Sequence, residues 1–265
     1  MQQAGHDVVV AAPAQDMSGA SAAIGRLHTD EHIEVTSVEL PGCDGLVGYG
    51  VAGPPGLAAM TACLGGFGDP PDIVVSGINA GLNTGHSVLH SGTVGAALTA
   101  QNFGRCGVAV SIEPSEPWHW EAACEYAVSA LVWLTERAPT RTVLNVNVPG
   151  RPSSEILGVR WATLDRFGSV RAAITNGTST RLQFEFRATG ATLEPDSDTA
   201  LVAAGYATLT AIRGVSEVDV SEPEPPGVDP STLEHDLEPA PEPAGAARET
   251  PSERVHVSGT RRRTR

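Results

Sequence analysis

The small polar side chains of this chain gather in two glycine-bearing loops, and their types suit a phosphate group or a hard cation. One loop runs Gly77-Ile78-Asn79-Ala80-Gly81-Leu82-Asn83-Thr84-Gly85 and continues to His90-Ser91-Gly92-Thr93. Ser91 or Gly92 stands where a helix would begin. Backbone N–H groups at such a start, with the Ser91 and Thr93 hydroxyls, form a site for a dianionic phosphate. Asn79 and Asn83 can offer amide oxygens to a hard cation or amide N–H groups to phosphate oxygens. The other loop is Ala14-Gln15-Asp16-Met17-Ser18-Gly19-Ala20-Ser21. A tight turn capped by Ser and Gly would use the same residues, and composition leaves both readings open.

Strands and helices must carry these loops. Residues 6–13 (HDVVVAAP) and 71–76 (PDIVVS) read as buried strands, each ending where one of the two loops starts. Gln2-Gln3-Ala4-Gly5 looks like the tail of a helix closed by glycine. Residues 32–40, 107–112 and 142–148 (TVLNVNV) read as further strands. Residues 56–65, 92–102 and 120–137 read as helices. Such alternation implies a doubly wound α/β fold, a parallel sheet with helices on both faces, whose ligands bind at the carboxyl ends of the strands. Residues 158–163 and 181–188 are strand-like and imply a β-hairpin-rich extension over about 158–197. Residues 198–212 read as a helical turn leading into a last strand. The expected organisation is one domain over 1–213 and a tail over 214–265, of which 214–253 hold eight prolines and almost no large apolar side chains. That composition predicts disorder.

Charge excludes some classes. The formal net charge is −14, and residues 214–253 hold 11 of the 31 acids against one base, Arg248. The body, 1–213, keeps 20 acids and 11 bases, which argues against a nucleic-acid groove. No run of about 18 apolar residues exists, so no membrane span is expected. The start carries no apolar signal core, which makes the cytoplasm the expected location. The four cysteines, Cys43, Cys63, Cys106 and Cys124, form no CxxC pair and read as buried free thiols. Residues 48–53 satisfy GxGxxG, but two prolines follow where a helix should open, so a dinucleotide site is not expected. His86 and His90 stand four apart without the glutamate of a metalloprotease and read as residues of a pocket mouth. Trp118, His119 and Trp120 read as core or interface.

The blocks APAQDMSGAS, PDIVVSGINAGLNTG, HSGTVGAAL, LNVNVP and DTALVAAGYATLT, in this order and spacing, resemble the conserved blocks of the SurE (survival protein E) nucleotidase family over about residues 5–213. The resemblance implies a SurE-type doubly wound sheet with a β-rich extension used in dimer or tetramer formation. It implies removal of phosphate from nucleoside 5′- and 3′-monophosphates with a divalent cation, Mg or Mn. Carried over by residue, Ser18 and Asn79 match metal ligands, and Asn83, Ser91, Gly92 and Thr93 match phosphate-binding positions, with Asn79 and Ser91 expected to act in catalysis. The family's Asn-Asp-Asp-Gly turn, which supplies two carboxylates to the metal, has no counterpart in residues 1–265. Impaired activity is therefore expected of these residues as they stand. Gly53-Pro54-Pro55-Gly56-Leu57 departs from the family's Gly-Thr-Pro-Thr-Asp, and His90 replaces its usual tyrosine.

Overall fold

The computed structural model describes residues 1–216 except 26, 28–31, 44, 138–139, 167–169, 179 and 189–191. The expected disordered tail falls, apart from residues 214–216, outside the described residues. Met1–Ser216 form one compact unit.

Among the described residues, ten strands build three sheets. β1 (Val10–Pro13) pairs in parallel with β3 (Val47–Val51), and β2 (Val35–Glu39) runs antiparallel on the other side of β3. The larger sheet has the order β4 (Ile73–Ala80), β5 (Cys106–Ile112), β6 (Val143–Val148), β10 (Ala207–Ile212), β7 (Val159–Trp161). Its first three strands are parallel, β10 is antiparallel to β6, and β7 is parallel to β10. β8 (Val170–Thr178) and β9 (Arg181–Ala188) form a separate antiparallel hairpin.

The apolar runs explain the central strands. In β5, Val108, Val110 and Ile112 are buried with Leu144, Val146 and Val148 of β6 against Ala123, Ala127 and Leu134 of α3 (Trp120–Arg137). The intervening Ala109 and Val143 pack on the other face with Val94 and Ala97 of α2 (Gly92–Asn102). Burial on both faces is what a parallel strand apolar throughout requires. α1 (Pro55–Cys63) packs beside α2 and beneath β1. α4 (Asp198–Ala203) is a short helix capped by Ser197, whose Oγ accepts the Ala200 N–H.

The sequence expectations meet four corrections. The first strand covers only 10–13 of the expected 6–13, and the preceding helical tail is a 3-10 turn, Gln2–Ala4, closed by Gly5 at φ 85°. β3 was not expected: its glycines lie in extended backbone, where Thr36 of β2 and Leu40 just after it crowd the place of a side chain. The GxGxxG spacing is thus a β-pairing feature. β8 was also not expected, because Val170–Thr178 lacks strong apolar alternation and gains its strand character by pairing with β9. Of the four cysteines only Cys63 is buried and Cys106 half-buried; Cys43, and Cys124 on α3, are exposed. Trp118 packs against the α3 core and stacks on Trp120 at 4.8 Å.

Leu144 is fully buried at the centre of the α3-facing core. Leu144→Ala should lower unfolding free energy by about 3 kcal/mol, read as a shifted urea midpoint; a loss below about 1 kcal/mol would contradict this placement of the core.

Candidate functional site

The loops after β1 and β4 meet in one open cleft of about 750 Å³ at the carboxyl ends of those strands. Ser18, Asn79, Asn83, Ser91, Gly92 and Thr93 all line it, together with Asp16 and His90. The six positions matched to the family's site are therefore brought to the same place, and of the two histidines expected at a pocket mouth His90 joins them. His86 is not among the lining residues; its N–H donates to the Asp165 carbonyl at 3.0 Å.

α2 begins in this cleft. Ser91 has extended backbone, φ −74° and ψ 124°, and its Oγ accepts the Val94 N–H at 3.2 Å, the arrangement of an N-cap. Its hydroxyl proton stays available to a ligand. The N–H groups of Gly92 and Thr93, in the first turn, have no partner within the helix, and the first turn holds no acid. The peptide dipoles of α2 add positive potential at that end. Glycines let other segments close in on the helix. A side chain on Gly92 would press on Pro55 Cγ at 3.0 Å, and one on Gly95 would overlap the Ser21 backbone. The Ser18 loop is thus seated directly on α2.

In that loop Asp16 Oδ1 accepts the Ser18 N–H at 2.9 Å and the Ser18 Oγ–H at 2.6 Å. The Ser18 hydroxyl, and after it the Ser18 N–H, hold the exposed Asp16 carboxyl below its ordinary value. Ser18 Oγ has its proton engaged by Asp16 and its lone pairs left as acceptors. Asn79 Nδ2 donates to the Gly81 carbonyl at 2.7 Å, which leaves Oδ1 as its acceptor in the cleft.

The Asn83 peptide is held from beneath by β6. Its N–H donates to Asn147 Oδ1 at 2.8 Å, and its carbonyl accepts from Asn145 Nδ2 at 2.8 Å and Asn147 Nδ2 at 2.9 Å. Its own Nδ2 donates to Ser111 Oγ of β5 at 2.7 Å, so one of two side-chain amide hydrogens remains for a ligand. Asn145, Asn147 and Ser111 are fully buried. Two residues on, Gly85 takes φ 58°, and its N–H donates to both carboxylate oxygens of Asp198 at 2.9 and 3.1 Å. Burial pushes the Asp198 carboxyl above its ordinary value, against the opposing pull of the N–H groups of Gly85, Asp165 and Thr199.

The oxygen set can be compared with what a divalent cation needs. Ser18 and Asn79 are neutral donors, Asp16 is a single carboxylate, and the described residues contain no group of three His, Cys, Asp or Glu side chains able to hold a metal. A hard cation takes six or more oxygens, with carboxylates supplying most of the charge. The described residues on their own do not fit a divalent metal centre, and no chemical step is assigned to one.

Asp16, Ser111, Asn145, Asn147 and Asp198 received no role from the sequence. The signal for two of them was present in LNVNV, where asparagines alternate with apolar residues on a strand that must be buried, so one polar face must meet partners.

The family described as Survival protein SurE matches residues 1–169. A relative named 5'-nucleotidase SurE, from Solidesulfovibrio magneticus, is 36% identical over 224 residues, covering 79% of this chain and 82% of that protein. One of the same name from Xanthomonas campestris pv. campestris is 38% identical over 161 residues, 60% of this chain; the chain spans 59% of that relative's length. The crystal structure of the SurE protein from Aquifex aeolicus superposes with a TM-score of 0.65 at 25% identity, covering 80% of this chain and 84% of that one.

The geometry predicts two outcomes. Asn147→Ala removes two hydrogen bonds to the Asn83 peptide and should cost about 2 kcal/mol in urea unfolding; no loss would show that the peptide needs no such hold. The folded chain keeps the Asp198 proton more firmly than the unfolded chain. That contribution is complete below a carboxyl's ordinary pKa of about 4 and fades as pH rises through the raised value. Asp198→Asn should remove that part of the pH dependence of stability, and an unchanged slope would contradict the raised pKa.

Proposed function

The chain belongs to the SurE family, and from that premise we propose that its cleft binds nucleoside 5′- and 3′-monophosphates and that its fold serves hydrolysis of their phosphate ester. One observation carries this reading: the residues matched to the family's site, drawn from loops some 60 positions apart, line a single cleft at the start of α2.

On this reading the phosphate dianion sits against the Gly92 and Thr93 N–H groups and the Ser91 and Thr93 hydroxyls. Fixed donors and the α2 dipole there lower the energy of charge on the phosphoryl oxygens. Asn83 offers its remaining amide hydrogen beside them. Ser18 and Asn79 present acceptor oxygens and belong to the shell of the divalent cation, Mg or Mn, that the family uses. The described residues bring one carboxylate, Asp16, to that shell, and on this reading residues 1–265 alone bind phosphate and turn over slowly or not at all. That the described residues bring a single carboxylate to the cleft favours, as a second reading, a phosphate- or nucleotide-binding protein without catalysis.

The β8–β9 hairpin supports the proposal of a dimer or tetramer. Ile174 lies opposite Phe184, and both, with Leu182, are more than half exposed. No helix among the described residues is long and apolar enough to cross a membrane, and the proposed location is the cytoplasm.

Phosphate release from AMP, GMP and their 3′ isomers, with and without Mn, tests the reading on this chain and on a version extended at its N terminus by the family's first strand and Asn-Asp-Asp-Gly turn. Activity only in the extended, Mn-loaded protein is expected. Activity in residues 1–265 alone would contradict the account of the oxygen set, and silence in two folded proteins would favour the non-catalytic reading.

A further inference from the structure

Asp198 is fully buried, yet the nucleotidase reading gives it no task. It belongs to the segment after the β8–β9 hairpin and lies 113 residues from Gly85 in the chain. Its two oxygens gather the N–H groups of Gly85, of Asp165 at 3.1 Å and of Thr199 at 2.8 Å. A buried carboxylate with several N–H partners is strongly fixed, and removing it strands every one of those donors.

The stretch from Gly85 to the start of α2 is short and stiff. Residues Gly85–His90 form a 3-10 turn, Ser87 Oγ donates to the Thr84 carbonyl at 2.6 Å, and the Ser91 N–H donates to the Val88 carbonyl at 3.1 Å. The turn therefore runs without slack from the Asp198 contact to the α2 N-cap. A second bond from the same side, His86 N–H to the Asp165 carbonyl at 3.0 Å, fixes its direction. Asn83 is anchored to β6, but that anchor lies before Gly85 and leaves the orientation of the turn open.

We propose that Asp198 is a positioning residue for the candidate phosphate site: it holds the Gly85 N–H, and through the turn Gly85–His90 it sets where Ser91, Gly92 and Thr93 stand in the cleft. This deepens the phosphate reading of the α2 start and rests on it. It also makes the segment beyond the hairpin part of the site's machinery, although none of its residues lines the cleft.

The test uses the 265-residue chain carrying Asp198→Ala, Asp198→Asn, which keeps one acceptor oxygen, or Gly85→Ala, which strains the turn from the other side at a positive φ. Residue-resolved amide hydrogen exchange reports on the turn, and a titration with inorganic phosphate followed at the Gly92 and Thr93 amides reports on the site. Asp198→Ala should speed exchange at Gly85 and His86 by about tenfold or more while β5 and β6 amides keep their protection, and should weaken the phosphate response by about tenfold. Asp198→Asn should fall between it and the unsubstituted chain, and Gly85→Ala should reproduce the weakened response. Unchanged exchange at Gly85 and His86, equal loss of protection across the sheet, or failure of both Asp198 variants to fold would overturn the proposal, the last two by making Asp198 a support of the whole fold. Absence of a phosphate response in the unsubstituted chain would remove the phosphate reading alone, because the exchange comparison still decides on Asp198.

Discussion

Asn145 and Asn147 stand on the central strand of the larger sheet with no access to solvent, and each buried amide without partners would cost about 1–3 kcal/mol. Their partners are the N–H and carbonyl of Asn83, one residue of the loop that leaves β4. The apolar face of β6 toward α3 gives the strand its place, while its polar face toward α2 gives the loop its height. Ser111, one strand over in register with Asn147, takes the Asn83 side chain. Folding the loop back over β6 gives partners to Asn145 Nδ2 and to both polar atoms of the Asn147 side chain, while Asn145 Oδ1 stays buried without one.

From that anchor outward the contacts are close and use small residues. Gly85 accepts the positive φ that turns its N–H to Asp198, Gly92 lets Pro55 approach, and Gly95 lets the Ser21 backbone rest on α2. The two loops that carry the candidate ligands are therefore fitted to the same helix, one continuing into it and the other resting on it. Most of the polar side chains around the cleft hold peptide groups.

Much of this was legible in the residues. Helices 92–102 and 120–137 match the structure at both ends, since α2 has a serine cap and α3 a clear amphipathic period. The six marked site positions all reach the cleft, because the loops after β1 and β4, although they leave two separate sheets, both come to the start of α2. The strand at Val47–Val51 was hidden by its glycines, which carry no strand propensity and are explained only by Thr36 and Leu40 across the sheet. Asp198 was hidden for a related reason. An aspartate beginning a short helix reads as a cap, and nothing local reveals a partner 113 residues away.

Membership of the SurE family accounts for the fold and for the grouping of Ser18, Asn79 and the α2 start, while the oxygen set within the described residues stays short of a divalent metal centre. The central claim is that the start of α2 is a phosphate site. Titrating the isotope-labelled chain with AMP and with adenosine, while tracking the backbone amides, tests it most directly. The account predicts saturable shifts at Gly92 and Thr93 with AMP and far smaller ones with adenosine. Equal responses to the two ligands, or AMP-induced shifts confined to other parts of the chain, would contradict it.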